Sequence, residues 1–259
     1  MEKTTPHIVI TGASSGIGAA AAVEMARRGW RVTLVGRDPS RLSASLDAVP
    51  GEPTAVQADF SRLADVRELA KRLLSGPRID VLANNAGLVA RGSTVDGFHT
   101  TMQVNHLAPF LLSHLLLPHL DGGRIINTAS LSAAYGLDPT PPTRAFPSAW
   151  LTYCTSKKAN IYFTAEASRR WPSVASLAFH PGVPRTRFGT PAAQLFYRIA
   201  PGLPTSEQAA RELVRLATEP VAQLVNGGYY YNGRLLSGPE RRKTAASRLW
   251  DATASALDL

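Results

Sequence analysis

The stretch Thr11-Gly12-Ala13-Ser14-Ser15-Gly16-Ile17-Gly18 follows directly on the apolar run Ile8-Val9-Ile10. It opens an Ala-rich segment without proline, Ala19 to Arg28, that stops at Gly29. A strand, a Gly-rich turn and a helix in that order form the front half of a nucleotide-binding βαβ unit. Glycines let the backbone approach a diphosphate, and the free N–H groups of the helix start supply donors and a positive dipole end. The spacing is G-x-x-x-G-x-G, not the G-x-G-x-x-G of the general dinucleotide fingerprint. A plain structural turn therefore stands beside the nucleotide reading until the rest of the chain is weighed.

Further strand and helix patterns alternate along the sequence. Strands are expected at Arg31–Val35, Pro53–Gln57, Ile79–Ala83, Gly123–Ser130, Val174–Phe179 and Gly228–Asn232. Helices are expected at Ser40–Val49, from an N-cap at Ser61 to about Leu74, over Phe98–Leu120, over Ser148–Trp171, and, as the last helix, over Ser206–Thr218. Pro109 and Pro118 limit the regularity of the third of these, and Pro139, Pro141, Pro142 and Pro147 make the stretch from Leu137 to Pro147 a loop. No repeat or linker interrupts the pattern. It predicts one α/β domain over residues 1–259, a doubly wound parallel sheet of about seven strands with helices on both faces. The tail after Pro239 is polar and Ala-rich and is expected to pack loosely.

Composition narrows the function classes. With 44% hydrophobic and 18% charged residues in 259, the chain reads as an ordinary soluble protein. No apolar run approaches the ~20 residues that span a bilayer. The first strand begins too early for a signal peptide, and the one cysteine, Cys154, suits a reducing compartment, so a cytoplasmic location is expected. The formal charge of +9 comes mostly from scattered arginines, since only five of the 28 basic residues are lysines. The densest cluster is Arg241-Arg242-Lys243, and neither zinc-ligand spacing nor a basic helix nor aromatic–basic interleaving points to nucleic acid. Arginine over lysine with many alanines hints at a GC-rich bacterial genome.

Candidate chemistry sits where strands end. Arg37 closes the second strand after Gly36, where an acidic residue would favour the 2′-hydroxyl of NAD; its guanidinium suits a 2′-phosphate instead. Asp38, with Pro39-Ser40, starts the next helix. Asn84-Asn85-Ala86-Gly87 ends the fourth strand and Ser130 the fifth. Tyr153 and Lys157, four residues apart on a helix, share a face. A free phenol titrates near ~10, and a neighbouring ammonium moves it towards a useful range. Asn105 is an amide in an apolar helix and needs partners.

Taken together, TGASSGIG at 11–18, Asp59, NNAG at 84–87, Asn105 in VNHLAPFLL, Ser130 at the end of RIINTAS, YCTSK at 153–157 and HPGVPRT at 180–186 resemble a short-chain dehydrogenase/reductase over Ile8 to about Asn232. The resemblance implies a Rossmann fold and an NADP(H)-dependent oxidoreductase that reduces a ketone or aldehyde, or oxidises the alcohol. Tyr153 would be the general acid/base, Lys157 would tune it and hold the nicotinamide ribose, Ser130 would bind the substrate oxygen, and Asn105 would anchor a water. Gly12, Gly16 and Gly18 would line the diphosphate, with Ser14, Ser15 and Ile17 beside them and Arg37 on the 2′-phosphate of NADP. Asp59 and Phe60 would meet the adenine and Asn85, Ala86 and Gly87 the ribose region, while Pro181, Gly182, Val183 and Thr186 would sit by the carboxamide. No metal is implied. Many members pair into a homodimer or homotetramer through the helices carrying Asn105 and Tyr153.

Ser130 precedes Tyr153 by 23 positions, about twice the spacing of many members, and the Pro-rich loop Asp138–Pro147 supplies the difference. This, with the VNHL phrase, is similar to the retinol dehydrogenase-like and protochlorophyllide reductase-like branch. Ala129 stands where a serine is frequent. A substrate lid is expected around 183–204, with Phe188, Leu195, Phe196, Tyr197 and Ile199 suited to a bulky, apolar carbonyl substrate. The same fold also serves epimerases, dehydratases and cyclases without net redox, and a cofactor-binding regulator without catalysis.

Overall fold

The computed structural model describes residues 5–144, 146–182 and 203–259. Residues 183–202, which carry Val183, Thr186 and most of the expected lid, lie outside them. The sheet has eight strands in the order β3-β2-β1-β4-β5-β6-β7-β8. The strands are β1 (His7–Thr11), β2 (Arg31–Gly36), β3 (Thr54–Gln57), β4 (Val81–Asn84), β5 (Arg124–Thr128), β6 (Ala175–Phe179), β7 (Tyr229–Tyr231) and β8 (Arg234–Ser237). All neighbouring pairs from β3 to β7 are parallel, and β8 returns antiparallel on β7. This is the doubly wound order, in which the chain starts in the middle, winds to one edge, and crosses back to wind to the other.

The eighth strand corrects the expected count of about seven. Asn232 and Gly233 both take left-handed backbone conformations (φ 47° and 75°), which closes a tight hairpin from β7 into β8. An Asn-Gly pair is the short-range signal for such a turn because both residues tolerate positive φ.

Side chains alternate across the sheet with period two, so each strand feeds two cores. On one face Val9, Val35, Leu82 and Ile125 pack against α3 (Leu63–Leu74), α5 (Ala108–Leu115) and α6 (Ala149–Arg170). On the other, Ile8, Ile10, Leu34, Ile126 and Phe179 meet α1 (Gly16–Arg27), α2 (Pro39–Asp47) and α7 (Ser206–Thr218). The short helix α4 (Thr100–Met102) leads not into a continuous helix but into a π-turn over Gln103–Leu107 before α5 begins, and a 3-10 turn at Leu117–His119 follows α5. The single expected helix over Phe98–Leu120 is thus four pieces, and the π-turn carries Asn105.

Helix α3 starts at Leu63 with Arg62 at the N-cap, not at Ser61. Asp59 explains the shift: its Oδ1 accepts from both the N–H (2.9 Å) and Oγ–H (2.8 Å) of Ser61, which holds that serine in the preceding turn.

The tail does not pack loosely, and α7 is not the last helix. Residues Lys243–Ala256 form α8, which buries Ala246, Leu249, Trp250 and Thr253. These recur at helical spacing, and the indole reaches into an aromatic cluster. The Trp250 ring lies 4.8 Å from Phe110, 5.9 Å from Phe163 and 4.8 Å from Trp171, centroid to centroid. Asp251 accepts from Arg170 (2.8 Å), and Arg67 donates to the Leu257 carbonyl (3.1 Å).

Candidate active site

Most candidate residues that the structure describes come from the end of a parallel strand or the turn that follows it, because parallel strands deliver all their C-terminal ends to one edge; Tyr153 and Lys157 reach that edge from α6 and Asn105 from the π-turn. There the Gly-rich turn after β1, the NNAG segment after β4, Ser130 after β5 and Pro181 after β6 border one cleft of about 620 Å³.

The turn is built by its glycines and held by its neighbour. Gly12 and Gly16 have φ of 68° and 58°, which other residues adopt only with strain. A Cβ on Gly12 would lie 2.8 Å from the Ala86 Cα, and one on Gly18 would lie 2.5 Å from the Gly12 carbonyl oxygen. Asn85 Nδ2 donates to the Thr11 carbonyl (3.0 Å), and Thr11 Oγ1 accepts from the Asn85 and Ala86 N–H groups (3.0 Å each). Ser15 caps α1 without a side-chain hydrogen bond, and no acidic residue occupies the first turn. The free donors and positive end of α1 thus face the cleft, as an anion site requires.

Farther along, Ser14 packs under Gly36, where a Cβ would stand 3.1 Å from its own. Arg37 is exposed at the rim. Asp38 caps α2, accepting from the Arg41 N–H (2.9 Å) and from its Nε (3.2 Å), so its charge is matched by Arg41. The short N–H contact holds the Asp38 carboxyl below the usual carboxylate range. Asp59 and Phe60 form the wall below.

At the other end, Ser130 Oγ accepts from the N–H (3.2 Å) and Oγ–H (2.9 Å) of Ser132. Tyr153 lies one helical turn before Lys157, whose Nζ is 5.7 Å from the phenol ring centroid. Lys157 is 3% exposed and donates to the Thr128 carbonyl (2.8 Å); burial lowers its pKa to about 8. Asn105 Oδ1 accepts from the Leu88 N–H (2.8 Å), and its Nδ2 donates to the Leu88 carbonyl and to Ser156 Oγ, 3.0 Å each. A Cβ on Gly87 would stand 3.3 Å from Asn105 Oδ1 and 3.5 Å from Lys157 Nζ, so glycine there lets the two groups close around one point.

Gly12, Ser14, Ser15, Gly16, Ile17 and Arg37 therefore share a cleft with Asp59, Phe60 and Asn85-Ala86-Gly87, and with Ser130, Tyr153, Lys157, Pro181 and Gly182. Two expected residues stand behind the lining. Gly18 is a packing glycine under the turn, and Asn105 is fully buried and braces Leu88. Sequence reasoning missed Leu131, Ser132, Tyr135, Trp150 and His180, all of which line the same cleft. No spacing marks the first four, though Tyr135 and Trp150 stand close to Ser130 and Tyr153 in the chain; His180 opens the HPGVPRT motif. Burial lowers the His180 pKa to about 4, leaving it neutral near pH 7.

Residues 6–194 match the family model of the short chain dehydrogenase. The chain belongs to the short-chain dehydrogenase family. It is 46% identical over 273 residues to a candidate daunorubicin C-13 ketoreductase, DnrU, of Streptomyces sp. (strain C5), with 98% of this chain and 95% of that one covered. Human retinol dehydrogenase 11 is 32% identical over 272 residues, covering 97% of this chain and 86% of the relative, in keeping with the long Ser130–Tyr153 spacing. Among solved structures, a blue fluorescent protein from a metagenomic library, in complex with NADPH, superposes with a TM-score of 0.70 at 27% identity, covering 90% of this chain and 98% of that one. This short-chain dehydrogenase is an oxidoreductase of the retinol dehydrogenase-like branch. Its glycine cradle and bare helix terminus fit a nicotinamide dinucleotide. No described helix is long and apolar enough to cross a membrane.

Proposed function

We propose that the chain is an NADPH-dependent ketoreductase acting on a ketone carried by a large, mainly apolar molecule. The observation that carries this reading is the meeting of Ser130, Tyr153 and Lys157 at one end of a cleft whose other end is the glycine cradle. Gly12, Ser15 and Gly16 would hold the diphosphate and Arg37 the 2′-phosphate, and the bound dinucleotide supplies the hydride to the carbonyl carbon. Both acceptor positions of Ser130 are taken by Ser132, which leaves the Ser130 hydrogen to donate to the carbonyl oxygen. Tyr153 gives its proton to that oxygen as the C–H bond forms. The Lys157 ammonium, close to the ring, stabilises the negative charge left on the phenol oxygen. Asn105 positions the Leu88 backbone, and Gly87 leaves room for both Asn105 and Lys157.

The Streptomyces relative named for the C-13 ketone of daunorubicin supports a large substrate. The α5–α6 face that carries Phe110 and Phe163 is covered by α8 of the same chain, so a homodimer or homotetramer on those helices would have to form over α8. The test is stoichiometry: one NADPH consumed for each alcohol formed across a panel of ketones. Product without NADPH consumption would replace the reading with one of no net redox, and NADPH binding without any product would leave a regulator.

A further inference from the structure

The segment between Ser130 and Tyr153 carries an unusual concentration of exposed apolar surface. Leu131 is 46% exposed, Tyr135 74% and Trp150 57%, and all three line the cleft beside the reacting groups. Tyr135 ends the 3-10 turn Leu131–Tyr135 that Ser130 caps; Trp150 sits in the first turn of α6. The Pro-rich loop thus begins and ends on an aromatic ring at the mouth of the site. A half-exposed indole next to a catalytic group adds little to the core, whereas apolar surface gathered at a cleft marks what the cleft binds.

Geometry narrows the class of occupant. The Trp150 and Tyr153 rings are 5.5 Å apart and inclined by only 31°, so a partly exposed aromatic ring lies beside the proton donor in the cleft. A ketone held at Ser130 and Tyr153 would lay its attached body along that surface. Flat, fused aromatic rings gain more by stacking on it than a puckered aliphatic ring does.

We propose that Trp150 is the specificity-determining residue of this site, stacking on a planar fused-ring system attached to the ketone, with Tyr135 across the mouth. The proposal rests on the ketoreductase reading. It is tested with two methyl ketones of equal reacting group and different body, 2-acetylanthracene and cyclohexyl methyl ketone, on the NADPH holoenzyme. Trp150→Ala should lose at least about tenfold more kcat/KM on 2-acetylanthracene than on cyclohexyl methyl ketone, mainly through KM, and Trp150→Phe should recover most of the difference. Equal losses on both ketones, or none on either, would overturn it. A second measurement separates this failure from that of the ketoreductase reading. 2-Acetylanthracene fluorescence is titrated against the protein–NADP⁺ complex, without turnover. Binding weakened by Trp150→Ala supports stacking even where no ketone is reduced, and unchanged or undetectable binding in the native chain overturns it.

Discussion

Replacing Lys157 with methionine should make the protein more stable as it removes the ammonium from the site. The side chain is 3% exposed, and burial lowers its pKa from 10.5 to about 8. Folding therefore disfavours the charged form, and that lowering is worth about 3 kcal/mol wherever both states are protonated. Losing the bond to the Thr128 carbonyl gives back about 1 kcal/mol, and that carbonyl keeps Asn160 as a donor at 3.2 Å. Methionine fills a similar volume, so no cavity offsets the gain. At pH 7 the variant should be about 2 kcal/mol more stable.

The sign with pH follows from the lowered value. Between about 8 and 10.5 the unfolded chain holds a proton that the folded one has released, so native stability rises with pH there. From pH 7 to pH 9 the advantage of Lys157→Met should shrink by about 1 kcal/mol. Urea unfolding of both proteins at pH 7, 8 and 9 reads this directly, because titrations common to both cancel in the difference. A constant or widening gap would refute the argument that burial, not pairing, sets the state of Lys157.

Tyr153→Phe should lower kcat by about 10²- to 10⁴-fold and leave NADPH affinity, followed by fluorescence titration, nearly unchanged; near-native turnover would remove Tyr153 from the proton step. Arg37→Ala should weaken NADPH by about 10- to 100-fold and NADH little. An equal effect on both would mean that Arg37 does not meet the 2′-phosphate. Trp250→Ala should cost about 3–5 kcal/mol in urea unfolding, since the ring closes a cluster with Phe110, Phe163 and Trp171. Native-like stability would show that α8 is an accessory to the fold.

The sequence alone determined the doubly wound parallel class of the sheet, the edge that carries the site and most of the residues that meet there. Those features rest on local rules. Short apolar runs make strands, Gly12 and Gly16 permit one turn geometry, and parallel strands send Arg37, Asp59, Asn85 and Ser130 to the same side. Four points needed the folded chain. Asn105 had to be recognised as a brace for Leu88, which follows from a π-turn that no propensity marks. The docking of α8 depends on one indole finding three distant aromatic rings. Gly18 matters because a side chain there would run into the Gly12 carbonyl, with a Cβ only 2.5 Å from its oxygen, a crowding that arises only once turn and helix are packed. Trp150 and Tyr135, on either side of the Pro-rich segment, both line the site, and where such side chains end up is set by tertiary contacts, not by the periodicity of their residues.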